Sequence, residues 1–321
     1  MGAYVTRRVG QMVVVVLIVS AITFTLVSLA PGGIAAFAGT GAQGLSSTPE
    51  EIERLRHIYG LDDPLPVQFA RWIGNLLQGN MGLSYQTSEP VAHILARTVP
   101  FTVSLMVTAI LLALLISIPI GVLGAYRPNS VVDYVATFLA FIGVSVPTFW
   151  LALVAILVFG VILPIFPTSG IGDPTAPFSA VAFLHHLILP ATALSLPIAG
   201  AWTRFIRSSM LSVLSEDYIR TARAKGQRER VVLLIHALRN GLLPVITLVG
   251  ITIAYMISNV AVVEYIFQWP GLGQSYIIAA ISNRDLPLIM GALIVVSVFT
   301  TVGSLLADLT YSVADPRIRL T

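Results

Sequence analysis

The chain has 321 residues, 56% of them hydrophobic and only 10% charged, with a formal net charge of +3 and no cysteine. Soluble domains carry roughly 25% charged residues, so this composition cannot build a water-facing surface and excludes a soluble globule. Disulfide frameworks, thiol catalysis and cysteine-ligated metal are excluded with the cysteines. The small basic excess lies mostly in one segment, which points to membrane orientation rather than to a nucleic-acid partner.

Charge-poor apolar runs give the elements in chain order. A helix needs roughly 20 apolar residues to cross a hydrocarbon core of about 30 Å. The first span is predicted over Val9–Ala30. Arg7-Arg8 before it resembles a signal peptide, but the apolar run exceeds the 7–15 residues usual for one, so an uncleaved helix is expected. The outer loop 31–97 follows. Thr48-Pro49-Glu50-Glu51 reads as a helix start, with a capping Thr and Pro in the first turn. Farther on, Phe69, Trp72, Ile73 and Leu76 recur at helical spacing, so Val67–Leu77 is predicted to form a second outer helix whose apolar face packs on itself and on the membrane surface.

The second to sixth spans are predicted at Thr98–Tyr126, Tyr134–Leu163, Leu187–Thr203, Gly241–Val263 and Leu286–Ala307. Lipid offers nothing to satisfy open backbone groups and no alternating barrel pattern is present, so all six must be helical. Pro119, Pro147, Pro190 and Pro197 are expected to kink or interrupt their helices. Trp269-Pro270-Gly271-Leu272-Gly273 is dense in turn formers, and a short outer or re-entrant helix is expected over Ser275–Ile281. Residues 1–321 are thus expected to form one transmembrane domain.

With the N-terminus inside, the inner segments hold 13 of the 18 Lys and Arg residues; only Arg54, Arg56, Arg71, Arg97 and Arg284 lie outside. By the positive-inside rule both termini are expected on the cytoplasmic side.

The inner segment 204–240 stands apart. Within it, Glu216–Arg239 has nine charged residues out of 24 and contains Lys225, the only lysine in the chain. The segment cannot insert, because Arg or Lys at the bilayer centre costs roughly 2.5–3.5 kcal/mol even on lenient scales. It is also far longer than a helix connection needs. Acidic Glu216 and Asp217 precede the basic residues, as a helix dipole prefers. Gly226 interrupts the pattern, and Val231, Leu234, Ile235 and Leu238 then make an apolar stripe. Two short helices hinged at Gly226, docking a cytoplasmic partner, are predicted.

DYIRTARAKG from Asp217 to Gly226, with HALRNGLLPVIT from His236, resembles the peptide-branch variant of the coupling motif in ABC importer permeases. The general Glu-Ala-Ala-x-x-x-Gly motif is represented by Arg220-Thr221-Ala222 and Gly226, so its first two positions differ; His236-Ala237-Leu238-Arg239 replaces its later Ile-x-Leu-Pro part. GLDDPLPVQFARWIGNLLQGNMG, SVPTFWLALVAILVFG, PTSG, EYIFQWPGLGQS and DPRIR extend the resemblance over nearly the whole chain, toward the first of the two permease subunits of dipeptide, oligopeptide and nickel importers.

The resemblance implies an all-α polytopic membrane protein with the type I importer permease fold, in a bacterial cytoplasmic (inner) membrane. It implies a second homologous permease, two cytoplasmic ATPase subunits or domains carrying ATP and Mg, and an extracytoplasmic substrate-binding protein. It assigns Asp217, Tyr218, Arg220, Thr221, Ala222, Arg223, Ala224, Lys225 and Gly226 to a coupling helix that enters a groove on an ATPase. Small Thr221, Ala222 and Ala224 would permit close approach, while Asp217, Arg220 and Arg223 could pair with charges at its rim. The chain itself is expected to need no cofactor and to be no enzyme. A Walker A loop needs Gly-Lys-Ser/Thr, and the only lysine lies in Ala224-Lys225-Gly226.

For the transport path, Thr252, Tyr255 and Asn259 fall on one face of the fifth span, and Ser145 and Thr148 flank Pro147 in the third. Such residues either line a wet path or hydrogen-bond between helices. Glu264, at the outer end of the fifth span, either marks the membrane edge or meets a peptide ammonium group or the binding protein. His57, His93, His185, His186 and His236 lack zinc-type spacing. The sequence leaves open dipeptides, longer peptides, nickel chelates and glutathione as cargo. A gradient-driven secondary transporter is a competing reading, disfavoured by the lack of mid-span ionisable residues. An intramembrane enzyme is another, disfavoured by the lack of a catalytic constellation in the spans.

Overall fold

The computed structural model describes residues 2–29, 62–84, 86–172, 175, 177–278 and 285–314. The helix start at Thr48, the end of the expected helix at Ile281 and the DPRIR segment lie outside them. Among the described residues there is no strand, only an isolated bridge between Leu83 and Pro90. The helices are α1 (Gly2–Leu29), α2 (Leu65–Leu77), α3 (Val91–Tyr126), α4 (Val131–Ser145), α5 (Thr148–Ile162), α6 (Ala180–Leu214), α7 (Asp217–Ala224), α8 (Glu229–Gly241), α9 (Leu243–Ile266), α10 (Leu272–Ile278) and α11 (Leu286–Ala314).

Among the described residues four helices are long and apolar enough to cross a bilayer, or up to six if each bent pair is one span. α4 and α5 form one such pair, bent by 102° at Val146-Pro147. Proline there lacks the N–H that would continue the ladder, and it holds the preceding residue extended, with Val146 at φ −89 and ψ 129. Pro119, Pro190 and Pro197 do not interrupt; they lie inside the unbroken helices α3 and α6. The other bent pair is α8 and α9, at 44°. The first arm is charged, whereas α9 is 24 residues long and uncharged up to Glu264.

The described residues divide into two compact units, those within 1–101 and 271–301, and those within 102–270 and 302–314. In the first unit, Val91, Ile94, Leu95, Leu272, Leu288 and Ala292 make the core. Gly291 lets α11 lie against α3, because a Cβ there would sit 2.7 Å from Val91 Cγ1. Asp285 is fully buried before α11: it accepts the Leu288 N–H at 3.3 Å and the Ser84 hydroxyl, closing the 82–90 loop onto that helix. α2 packs its aromatic face on α1, with Phe69 5.5 Å from Phe24 and 6.0 Å from Trp72 between ring centres.

In the second unit α6 is the shaft on which α4, α5 and α9 pack. Its buried side includes Leu187, Leu194, Trp202, Ile206 and Met210. Small residues bring α4 and α6 together backbone to backbone, as membrane helices require where no water drives association. A Cβ on Gly200 would lie 2.5 Å from Ala140 O, and one on Gly143 would lie 2.9 Å from Leu196 O. Beyond the far end of α9, Phe267 and Trp269 are buried. The Gly170 N–H of the Pro167-Thr168-Ser169-Gly170 turn donates to Phe267 O at 2.9 Å, and Trp269 packs on Phe183 at 5.3 Å.

Candidate coupling surface and transport path

α6 runs on from the apolar span through Arg204 and Arg207 to Leu214, and only Ser215 and Glu216 separate it from α7. Asp217 sits in the first turn of α7 and Arg223 in the last, each favoured there by the helix dipole. Ile219 and Ala222 are buried, whereas Asp217, Arg220, Thr221 and Ala224 are exposed on the opposite side, followed by exposed Lys225. Ala222 is therefore turned inward, and the free face consists of Asp217, Arg220, Thr221 and Ala224. Tyr218 lies between the two faces, and its hydroxyl accepts from Asn240 Nδ2 at 2.8 Å, fastening α7 to α8.

Gly226 has φ +74, the left-handed region that glycine enters at least cost, and it turns the chain back into α8. The turn is clamped by Arg223, whose Nη2 and Nε donate to Glu229 at 2.8 and 3.2 Å. The adjoining Glu229 carboxylate holds the Arg223 guanidinium above its ordinary value. Arg223 thus pairs within the chain, and Arg220 makes a looser contact with Asp217 at 3.3 Å.

The expected stripe of Val231, Leu234, Ile235 and Leu238 is not the buried face of α8. Leu234 and Ile235 are each 61% exposed, and Val232, Ala237 and Gly241 are buried instead. Residues Val232–Ala237 are π-helical, with hydrogen bonds from i to i+5, so the inward side passes from Val232 to Ala237, a step of five, before a step of four to Gly241. Gly241 lets α8 meet α6, since a side chain there would run into the Met210 sulfur.

Of the path candidates, Thr252 is half-buried while Tyr255 and Asn259 are exposed, so α9 carries them on one open stripe; Ser258 is exposed beside them. Ser145 is exposed and Thr148 half-buried, on either side of the α4–α5 break. Glu264 is separate from this stripe. It is fully buried and accepts from Thr102 Oγ1 at 2.6 Å. It therefore stands neither at an exposed membrane edge nor open to cargo in this conformation. His185 Nε2 lies 2.9 Å from Ile165 O and its ring packs on Phe166, consistent with a structural role. Among the described residues no three His, Asp or Glu side chains are placed to hold a metal ion.

A further buried carboxylate escaped the sequence reading: Asp133, at the start of α4, bonded by Arg207 of α6. Ser130-x-x-Asp133 does carry a readable capping signal, and Ser130 Oγ accepts the Asp133 N–H at 3.3 Å. The partner 74 residues away carries no local signal.

A helical integral membrane protein is the class that these spans define. The chain belongs to the binding-protein-dependent transport system inner membrane component family, which it matches over residues 117–320; residues 1–106 match the N-terminal region described for the same systems. Membership makes it a transport subunit rather than an enzyme. It is 42% identical to the oligopeptide transport system permease protein AppB of Bacillus subtilis (strain 168), with 99% of each chain covered. A Brucella suis protein named provisionally as a peptide permease is 42% identical over 93% of each chain. Among solved structures, an amino acid ABC transporter crystallised with histidines is similar in fold, with a TM-score of 0.50 at 17% identity, covering 70% of this chain and 94% of that one.

Proposed function

We propose that this chain is a permease subunit of an ATP-driven peptide importer, and that α7 is the element through which separate ATPases move it. The observation that carries the peptide reading is the 42% identity to an oligopeptide permease along 99% of both chains. The docking reading is supported by a short helix, two residues beyond the shaft α6, with Asp217, Arg220, Thr221 and Ala224 exposed. The assembly would comprise a second homologous permease, two cytoplasmic ATPase subunits holding ATP and Mg, and an extracytoplasmic binding protein. Both termini and the 204–240 segment would face the cytoplasm. The exposed Thr252, Tyr255 and Asn259 stripe would border the path between the two permeases, with Ser145 and Thr148 at the α4–α5 elbow. Glu264 would enter that path only after α9 moves.

The experiment is ATP-dependent uptake of labelled peptides by vesicles holding the assembled complex, with nickel chelates and glutathione as competitors. Because the chain has no cysteine, Thr221→Cys supplies a single thiol for cross-linking to the ATPase. Peptide uptake together with cross-linking is expected. Uphill transport by this chain alone, or preference for a competitor over peptides, would overturn the reading.

A further inference from the structure

Three elements meet at one buried charge in the second unit. Both carboxylate oxygens of Asp133 are engaged by Arg207, through Nε and through Nη2 at 2.7 Å, and the carboxylate also accepts the Asn129 N–H at 2.9 Å. The Asp133 side chain is 4% exposed. The end of α3 closes on the same pair: a Cβ on Gly124 would lie 3.3 Å from Asp133 Oδ1 and 3.5 Å from Arg207 Cδ. One turn earlier, a Cβ on Gly121 would lie 2.8 Å from Ile206 Cγ2. The α3–α4 turn is only Arg127–Ser130, so neither helix end can move far without the other.

Apolar helix faces can shift against one another, since their contacts are non-directional. A forked guanidinium–carboxylate pair has one register, and removing Arg207 strands the Asp133 carboxylate in a buried place. We propose that Asp133 and Arg207 are positioning residues for transport, a joint that makes the α3–α4 hairpin travel with the α6 shaft. Displacement delivered at α7 then reaches α3 and α4 as well as α6. This rests on the docking reading of α7.

The test is made in the assembled complex in lipid vesicles. Spin labels at Arg127→Cys and Ser212→Cys, both exposed, report the distance between hairpin and shaft without and with trapped ATP. In the otherwise native chain one unchanged distance is expected in both states. Asp133→Asn with Arg207→Gln removes both charges together, so no charge is left stranded in the fold. In that double variant the distance is expected to change between states. Peptide uptake per ATP hydrolysed is expected to fall about tenfold, in the range a coupling free energy spans. Arg207→Lys, which keeps the charge but loses the fork, is expected to lie between the two. An unchanged distance and unchanged uptake per ATP in the double variant would overturn the proposal, as would a nucleotide-dependent distance in the native chain. Cross-linking from Thr221→Cys to the ATPase, run on parallel samples that carry the same Asp133 and Arg207 substitutions but neither label site, judges the docking reading separately.

Discussion

Thr102 Oγ1 donates a 2.6 Å hydrogen bond to Glu264 Oε1, joining α3 to the end of α9 across 162 residues, with both side chains buried. A buried carboxylate that loses a donor bears a desolvation penalty of about 1–3 kcal/mol. Thr102→Val is therefore expected to lower the thermal unfolding temperature of the detergent-solubilised complex, and Thr102→Ser to restore most of the loss. Equal melting of the valine and native proteins would mean that the bond contributes nothing.

The α4–α6 contact admits no added atoms, since Gly200 faces the Ala140 carbonyl and Gly143 the Leu196 carbonyl. Gly200→Ala is expected to destabilise by about 1–3 kcal/mol through overpacking. Gly10→Ala in α1, where a Cβ meets nothing within 4 Å, is the control and should melt no lower than the native protein.

The Arg223–Glu229 clamp is 42% and 37% exposed, so its contribution to global stability is small, under about 1 kcal/mol. Its effect should appear instead in the geometry of the α7–α8 turn. Arg223→Glu is expected to cut substrate-stimulated ATP hydrolysis several-fold, and adding Glu229→Arg to recover it. No recovery in the double reversal would show that Arg223 is needed by a partner rather than by Glu229.

The two faces of α7 should fail differently. Arg220→Glu or Thr221→Trp, on the exposed face, is expected to abolish stimulated hydrolysis while the permease still inserts and melts normally. Ala222→Leu, on the buried face, is expected to cost about 1–3 kcal/mol by overpacking against the rest of the unit. Identical melting losses for both faces would contradict this division.

Much of this was legible one segment at a time. The turn at Gly226 follows from a residue that accepts positive φ, whereas a missing N–H, shared by Pro119, Pro190 and Pro197 in unbroken helices, did not single out Pro147 as the break. The α2 helix follows from the spacing of Phe69, Trp72, Ile73 and Leu76. The buried face of α8 was not legible, because a π segment replaces the assumed helical period and leaves Leu234 and Ile235 outside. Nor could adjacency show that Ala222 turns inward while Thr221 stays out.

Sequence alone determined the apolar runs long enough to span and the charged segment that cannot insert, because transfer free energy accumulates residue by residue along a stretch of chain. Only the tertiary structure decided that Asp133, Glu264 and Asp285, each at a helix end, are buried and bonded. The side chains of Arg207 and Thr102 bonded to Asp133 and Glu264 lie 74 and 162 residues away, and the Ser84 hydroxyl on Asp285 lies 201 residues away. A buried charge depends on what folds against it, and no local pattern encodes that.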